Sequence, residues 1–254
     1  MVSVKINAAK LAIASVSFLV LIKVVASILT GSISILADAV HSTLDLIAAF
    51  ITFIGVRVSD KPADEQHPFG HGKAENVTSI VVVGLIFTAA GIIVYTAVKR
   101  LIAGATLELI GIGIYITAAA IVINILISRY LLRVSRGTES LALESEAAHL
   151  FSDVLSSCAV LVGLIVVRLT GLNIADPIVA LLVALVILKV GYDVLRKSFG
   201  GLIDVKLPEA EENTIRACSM EHGSQLVGFN ELRTRKAGSQ RYIDLHLVMP
   251  KNAS

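Results

Sequence analysis

Two segments of this 254-residue chain repeat one arrangement of acid, histidine and acid inside otherwise apolar sequence: Asp38-Ala-Val-His41-Ser-Thr-Leu-Asp45 and Glu146-Ala-Ala-His149-Leu-Phe-Ser-Asp153. On an α-helix, positions i and i+4 share a face one turn apart, so His41 with Asp45 and His149 with Asp153 each make a two-donor grip. Facing each other, the grips supply two imidazoles and two carboxylates, a donor set that suits a tetrahedral zinc ion. Two carboxylate charges cancel the 2+ of the ion, and a nearly neutral loaded site is tolerable in lipid. A single His–Asp pair would be explained by hydrogen bonds between neighbouring helices. Two matched pairs on separate spans call for a shared ligand. Asp38 and Glu146, each about one turn toward the N-terminal end of its helix, are candidates for a pathway or interface role, with snorkelling as the alternative.

The number of donors also separates carriage from catalysis. A catalytic zinc holds three protein ligands and keeps a position for water, whereas four close the site. A closed site inside a membrane points to transport. Once the ion leaves, two bare carboxylates in a low-dielectric place are costly, and protons are their natural replacement, hence metal/proton antiport. Histidine at position 41, in place of a further carboxylate, favours zinc over harder ions such as manganese. A membrane-embedded metalloenzyme would need an open coordination position and a base, for which Glu146 is the one apparent group.

The elements that must hold these residues follow from composition. The chain is 55% apolar and 17% charged, with mean hydropathy +0.81, against about 45–50% and about 25% in soluble domains. Val77 to Val98 and Leu109 to Ser128 are free of charge over the roughly 20 residues that a span needs. Four more apolar stretches are interrupted: Leu11 to Thr30 by Lys23, Ile33 to Val56 by the first motif, Leu143 to Val167 by Glu144 and the second motif, and Pro177 to Leu195 by Lys189 and Asp193. The economical reading is an all-α polytopic membrane domain of six transmembrane helices, residues 1–197. Lys5, Lys10, Arg57, Lys61, Lys73, Arg129, Arg133, Arg136, Arg196 and Lys197 fall on the side of the termini, and only Lys99, Arg100 and Arg168 on the other. By the positive-inside rule both termini are cytoplasmic, with the plasma membrane as the expected location.

After Lys197, Pro208-Glu-Ala-Glu-Glu-Asn reads as a helix start, and Gln225 to Thr234 and Gln240 to Val248 read as strands. Residues 198–254 form a small α+β cytosolic module, helix-strand-strand, barely large enough for its own core. A net charge of +2 excludes a strongly basic nucleic-acid binder. Cys158 and Cys218 are too few and too far apart for a disulfide framework or zinc ribbon. No cleavable signal peptide is evident, and no organic cofactor is implied.

Taken together, Ser34 to Asp45, Asp64-Glu-Gln-His-Pro-Phe-Gly-His-Gly-Lys-Ala-Glu75, Glu146 to Ser157 and Leu226 to Gly238 closely resemble the motifs of the cation diffusion facilitator family of zinc and divalent-metal exporters. The resemblance covers nearly the whole chain. It implies a homodimer in the lipid bilayer that exports metal from the cytoplasm against protons, with Zn2+ as the transported substrate and cadmium or iron as further cargo. It maps the transport site onto His41, Asp45, His149 and Asp153, a second metal site onto Asp64, His67 and His71 in the 2–3 loop, and a structural salt bridge onto Lys73 and Asp204. It also implies a metallochaperone-like, ferredoxin-type soluble domain ordered helix, strand, strand, helix, strand, and against that pattern the sequence stops after the second strand. Asn230 stands where the resembled motif has histidine, which leaves His246 as the surviving candidate of a cytosolic metal site. The shortened module makes a non-transporting partner or regulatory subunit the rival reading.

Overall fold

The computed structural model describes residues 2–30, 33–103, 111–170, 174–221 and 228–248. Six long helices come first: α1 (Val2–Thr30), α2 (Ile33–Ser59), α3 (Ala74–Ala103), α4 (Gly111–Thr138), α5 (Leu141–Thr170) and α6 (Ala175–Leu202). At 27 to 30 residues they rise about 40–45 Å, against about 30 Å of hydrocarbon, so each reaches past the apolar layer. Within the described residues, five of them contain a stretch long and apolar enough to cross a membrane. The sixth, α5, carries the second motif and runs among the others, packed on α3, α4 and α6 and touching α2. Leu21, Ile28, Leu182 and Leu185 stay exposed, the apolar outer face that lipid covers.

Small residues let the helices approach. Ala8, Ala9, Ala12 and Val16 of α1 meet Val56 of α2, Leu131 of α4, and Ala142, Leu143, Ala147 and Leu150 of α5 in one buried cluster. Such small-residue contacts replace the missing hydrophobic drive between helices in lipid. The cluster occupies the end of the bundle near the soluble module. At the opposite end Lys23, Thr96, Arg100, Ser156 and Ser157 line a cavity of about 340 Å³.

The break in composition after Lys197 falls inside the last turns of α6, which runs on to Leu202. Then come α7 (Glu209–Glu221) and an antiparallel hairpin of β1 (Gly228–Ala237) and β2 (Gln240–Val248), the α+β order expected. The Pro208 carbonyl accepts the amides of Glu211 and Glu212, and Glu209, Glu211 and Glu212 place negative charge in the first turn of α7, where the helix dipole favours it. Gly238, at φ +60°, takes the first central position of the two-residue turn, where type II′ hairpins put glycine. Between Asn230 and Arg233 the pairing shifts register, with Glu231 at φ +54°. Thr234 Oγ1 donates to Glu212 (2.8 Å) and accepts from the Leu207 amide (3.1 Å), tying α7 to β1. Residues 222–227, which include the expected start of the first strand, lie outside the described residues.

Candidate metal site

The helical spacing of the two motifs has the expected effect. The donor atoms of His41, Asp45 and Asp153 all lie within 4.8 Å of one another. His149 joins them through Asp45, its Nε2 3.4 Å from Asp45 Oδ1. All four residues of the sequence-based site thus gather between α2 and α5. Their burial differs: Asp45 is 8% exposed and His149 3%, Asp153 is intermediate, and His41 is exposed. Neither ring nitrogen of His149 has a hydrogen-bond partner, nor does Asp153 Oδ2. Buried polar atoms ordinarily find partners. Three orphaned donors in one cluster are what a cation-binding site looks like from the protein side, and His41 leaves the cluster accessible.

Glu146 does not snorkel. It is fully buried and its Oε2 accepts a 2.9 Å hydrogen bond from Thr52 of α2, itself at 0% exposure, while Oε1 has no partner. Glu146 therefore lies one turn from His149, toward the packed end of the bundle. Asp38 belongs to α2, but its side chain is outside the described residues.

The start of α5 is fixed by side chains from elsewhere in the chain. Ser140 caps it through Oγ to the Leu143 amide (3.4 Å), and Glu75 Oε2 accepts the Leu141 amide (2.9 Å). The other oxygen of Glu75 accepts from Ser59 (3.1 Å) and Lys5 (3.1 Å), and Lys5 also reaches Asp60 (3.2 Å). Glu75 and Lys5 are buried. One carboxylate thus joins α1, α2, α3 and α5, and holds in place the helix that presents His149 and Asp153.

In the 2–3 loop the three expected residues also meet. Asp64 is 3.0 Å from His67 Nδ1 and 3.5 Å from His71 Nε2, and the two rings lie 4.3 Å apart. Asp64 also accepts the His67 and Gln66 amides. That turn, more than the imidazoles, holds its carboxyl below the ordinary value. Phe69 packs edge-on to Tyr242 of β2, the Tyr242 hydroxyl donates to the Phe69 carbonyl, and the Arg235 guanidinium covers both rings at 4.9 Å. A Cβ on Gly72 would overlap the Ala237 carbonyl. The loop is thereby seated on the hairpin turn.

Two charge clusters complete the seating. Lys73 meets Asp204 at 2.9 Å as expected, and Arg235 adds a second cation at 3.3 Å. Glu139, between α4 and α5, takes Arg241 through both oxygens (2.9 and 3.1 Å) and Lys236 at 2.6 Å. Hydrogen bonds from Arg241 first and Lys236 second hold the Glu139 carboxyl at about 2, against an ordinary 4.5. A carboxylate depressed on folding contributes fully above its unfolded value and loses that contribution as pH falls through its folded one. Hydrogen exchange at the hairpin amides is therefore expected to speed up as pH falls from about 4.5 to about 2. In Glu139→Gln it should already be fast at pH 6, once intrinsic exchange rates are divided out, and the wild type should loosen in high salt.

His246 sits on the exposed face of β2, 3.6 Å from Glu231 and opposite Asn230 in the register. Among the described residues it belongs to no cluster of three metal donors. With asparagine across the ladder, one imidazole and one exposed carboxylate remain there. Thr52, Lys5, Glu75, Glu139, Arg235 and Arg241 escaped the sequence reading because each works through a distant partner. The visible signal was charge at the ends of helices, which position alone assigns to solvent.

The family model for the cation efflux transmembrane domain matches residues 9–203, and that for the cation efflux protein cytoplasmic domain matches residues 207–254. An uncharacterised transporter of Synechocystis is 36% identical over 229 residues, 90% of this chain and 74% of that protein. The cation-efflux pump FieF of Serratia proteamaculans is 35% identical over 243 residues, 96% and 80%. The magnetosome protein MamB of Magnetospira is 33% identical over 228 residues, 89% and 77%. With both halves matched and a buried multi-donor cluster between two membrane helices, the chain belongs to the cation diffusion facilitator family of membrane cation-efflux transporters, not to a family of enzymes.

Proposed function

We propose that this chain exports Zn2+ from the cytoplasm in exchange for protons, binding the ion with His41, Asp45, His149 and Asp153. The observation that carries this reading is the buried, unpartnered donor set: both nitrogens of His149 and Asp153 Oδ2, against a trio of donors within 4.8 Å. Two imidazoles select a borderline-soft ion, and two carboxylates match its charge. Helices α2 and α5 rock to expose the site to one side and then the other. The packed end beside the hairpin and the cavity at the far end fit the outward-facing member of that pair. The excess of basic residues at the hairpin end favours cytoplasmic termini and insertion in the plasma membrane.

Asp64, His67 and His71 form a second, more exposed metal site that the hairpin steadies, while the Lys73–Asp204 bridge ties the soluble module to the bundle. The transporter works as a homodimer, a reading supported by the match of residues 207–254 to the cytoplasmic domain of cation efflux proteins. Proteoliposomes carrying one dye for zinc and one for pH test the exchange. Zinc flux with opposing proton movement is expected, abolished in Asp153→Ala and exceeding manganese flux in competition. Zinc flux with no proton movement, or full flux in Asp153→Ala, sinks the proposal.

A further inference from the structure

We propose that Lys23 is a built-in counter-charge that weakens the hold of the transport site on its divalent ion and so speeds release toward the far side. The inference rests on the four-residue site proposed above. Lys23 lies on α1, a helix that contributes no ligand, and is 8% exposed. Its Nζ donates to Ser42 Oγ at 2.7 Å, and Ser42, 4% exposed, directly follows His41. The ammonium is near enough to act electrostatically on Asp153. It also lines the far-end cavity, beside Ser156 and Ser157, which follow Asp153 on α5.

A lysine inside the hydrocarbon costs about 2.5–3.5 kcal/mol even on the lenient insertion scale. A neutral donor would satisfy Ser42 equally well. The positive charge is therefore what distinguishes lysine here, and it stands beside a place for cations. Two site carboxylates and a divalent ion sum to zero, and the ammonium leaves the loaded cluster positive. Like charges in a poorly screened interior repel over several ångströms. Because the cavity opens on the lysine side, an ion that leaves that way passes the charge that expels it.

The test uses the full-length protein with the loop site removed (Asp64→Ala, His67→Ala, His71→Ala), so that zinc binding reports the membrane site. Zinc affinity is measured by competition with a chelating dye, and release by stopped flow. Lys23→Gln keeps a donor for Ser42 and removes the charge. Lys23→Met removes both, and Lys23→Arg keeps the charge. Both neutral variants are expected to bind zinc about tenfold more tightly and to release it correspondingly slowly, while Lys23→Arg stays close to the parent. A purely structural peg gives the opposite sign, because losing it loosens the site and weakens binding. Weaker binding in Gln and Met, or unchanged affinity and release in Gln, overturns the proposal. His149→Ala run alongside separates the two readings. If it leaves zinc bound at parental affinity, the site assignment itself has failed.

Discussion

Replacing His149 with alanine is expected to lower zinc affinity by about 100-fold, roughly 2.7 kcal/mol, while leaving thermal stability nearly unchanged. The two halves of this expectation have separate causes. His149 is 3% exposed and neither ring nitrogen is hydrogen-bonded, so no other protein group loses a partner when the imidazole goes. Alanine is also the best helix former. The zinc site, however, loses one of four donors. Asp45→Ala should cost as much again, because it removes a donor and half of the charge that neutralises the ion. Isothermal titration in detergent with the loop site removed reads affinity, and differential scanning reads stability. A large fall in melting temperature with parental affinity would assign His149 a packing role instead.

Glu75→Ala is expected to give the reverse pattern: the fold fails before binding does. Its carboxylate accepts from Lys5, Ser59 and the Leu141 amide at 0% exposure. Removing one member of a buried ion network typically costs about 3–5 kcal/mol, since the charge left behind is uncompensated. Asp60 remains 3.2 Å from Lys5, which places the loss at the lower end, about 3 kcal/mol. The double variant Lys5→Met/Glu75→Leu should recover much of it, because no orphaned charge then remains. Thermal unfolding of the purified single and double variants checks this, and an additive double variant would contradict it. As Glu75 also receives the first amide of α5, the single variant should blunt zinc transport through misplacement of His149 and Asp153.

The contrast between these two residues explains what could be read from the chain alone. His41, Asp45, His149 and Asp153 stand out because charge on an apolar background is conspicuous and the i, i+4 spacing places each pair on one face. The six helices follow from the same apolar background, and the hairpin from Lys236-Ala-Gly-Ser between two strand-like runs. Glu75 and Lys5 are 70 positions apart, and each looks like an ordinary charge at the end of a helix. Only the packing of α1 against α2, with α3 alongside, brings them together. Glu146 is ambiguous for a related reason, since a carboxylate one turn from a ligand reads alike whether it faces water or Thr52. The Glu139 clamp depends on Arg241, 102 positions away, and no local pattern announces it. Local periodicity thus reveals what a helix presents, and long-range pairing decides what that face meets.

The central claim is that one divalent ion is held by His41, Asp45, His149 and Asp153 between α2 and α5. X-ray absorption at the zinc edge, on protein loaded with one equivalent after removal of the loop site, tests it most directly. The predicted spectrum is four-coordinate, with two imidazole shells and two carboxylate oxygens at about 2.0–2.1 Å. In His149→Ala one imidazole shell should vanish. A six-coordinate oxygen shell, a sulfur shell from Cys158 or Cys218, or an unaltered spectrum in His149→Ala would contradict the account.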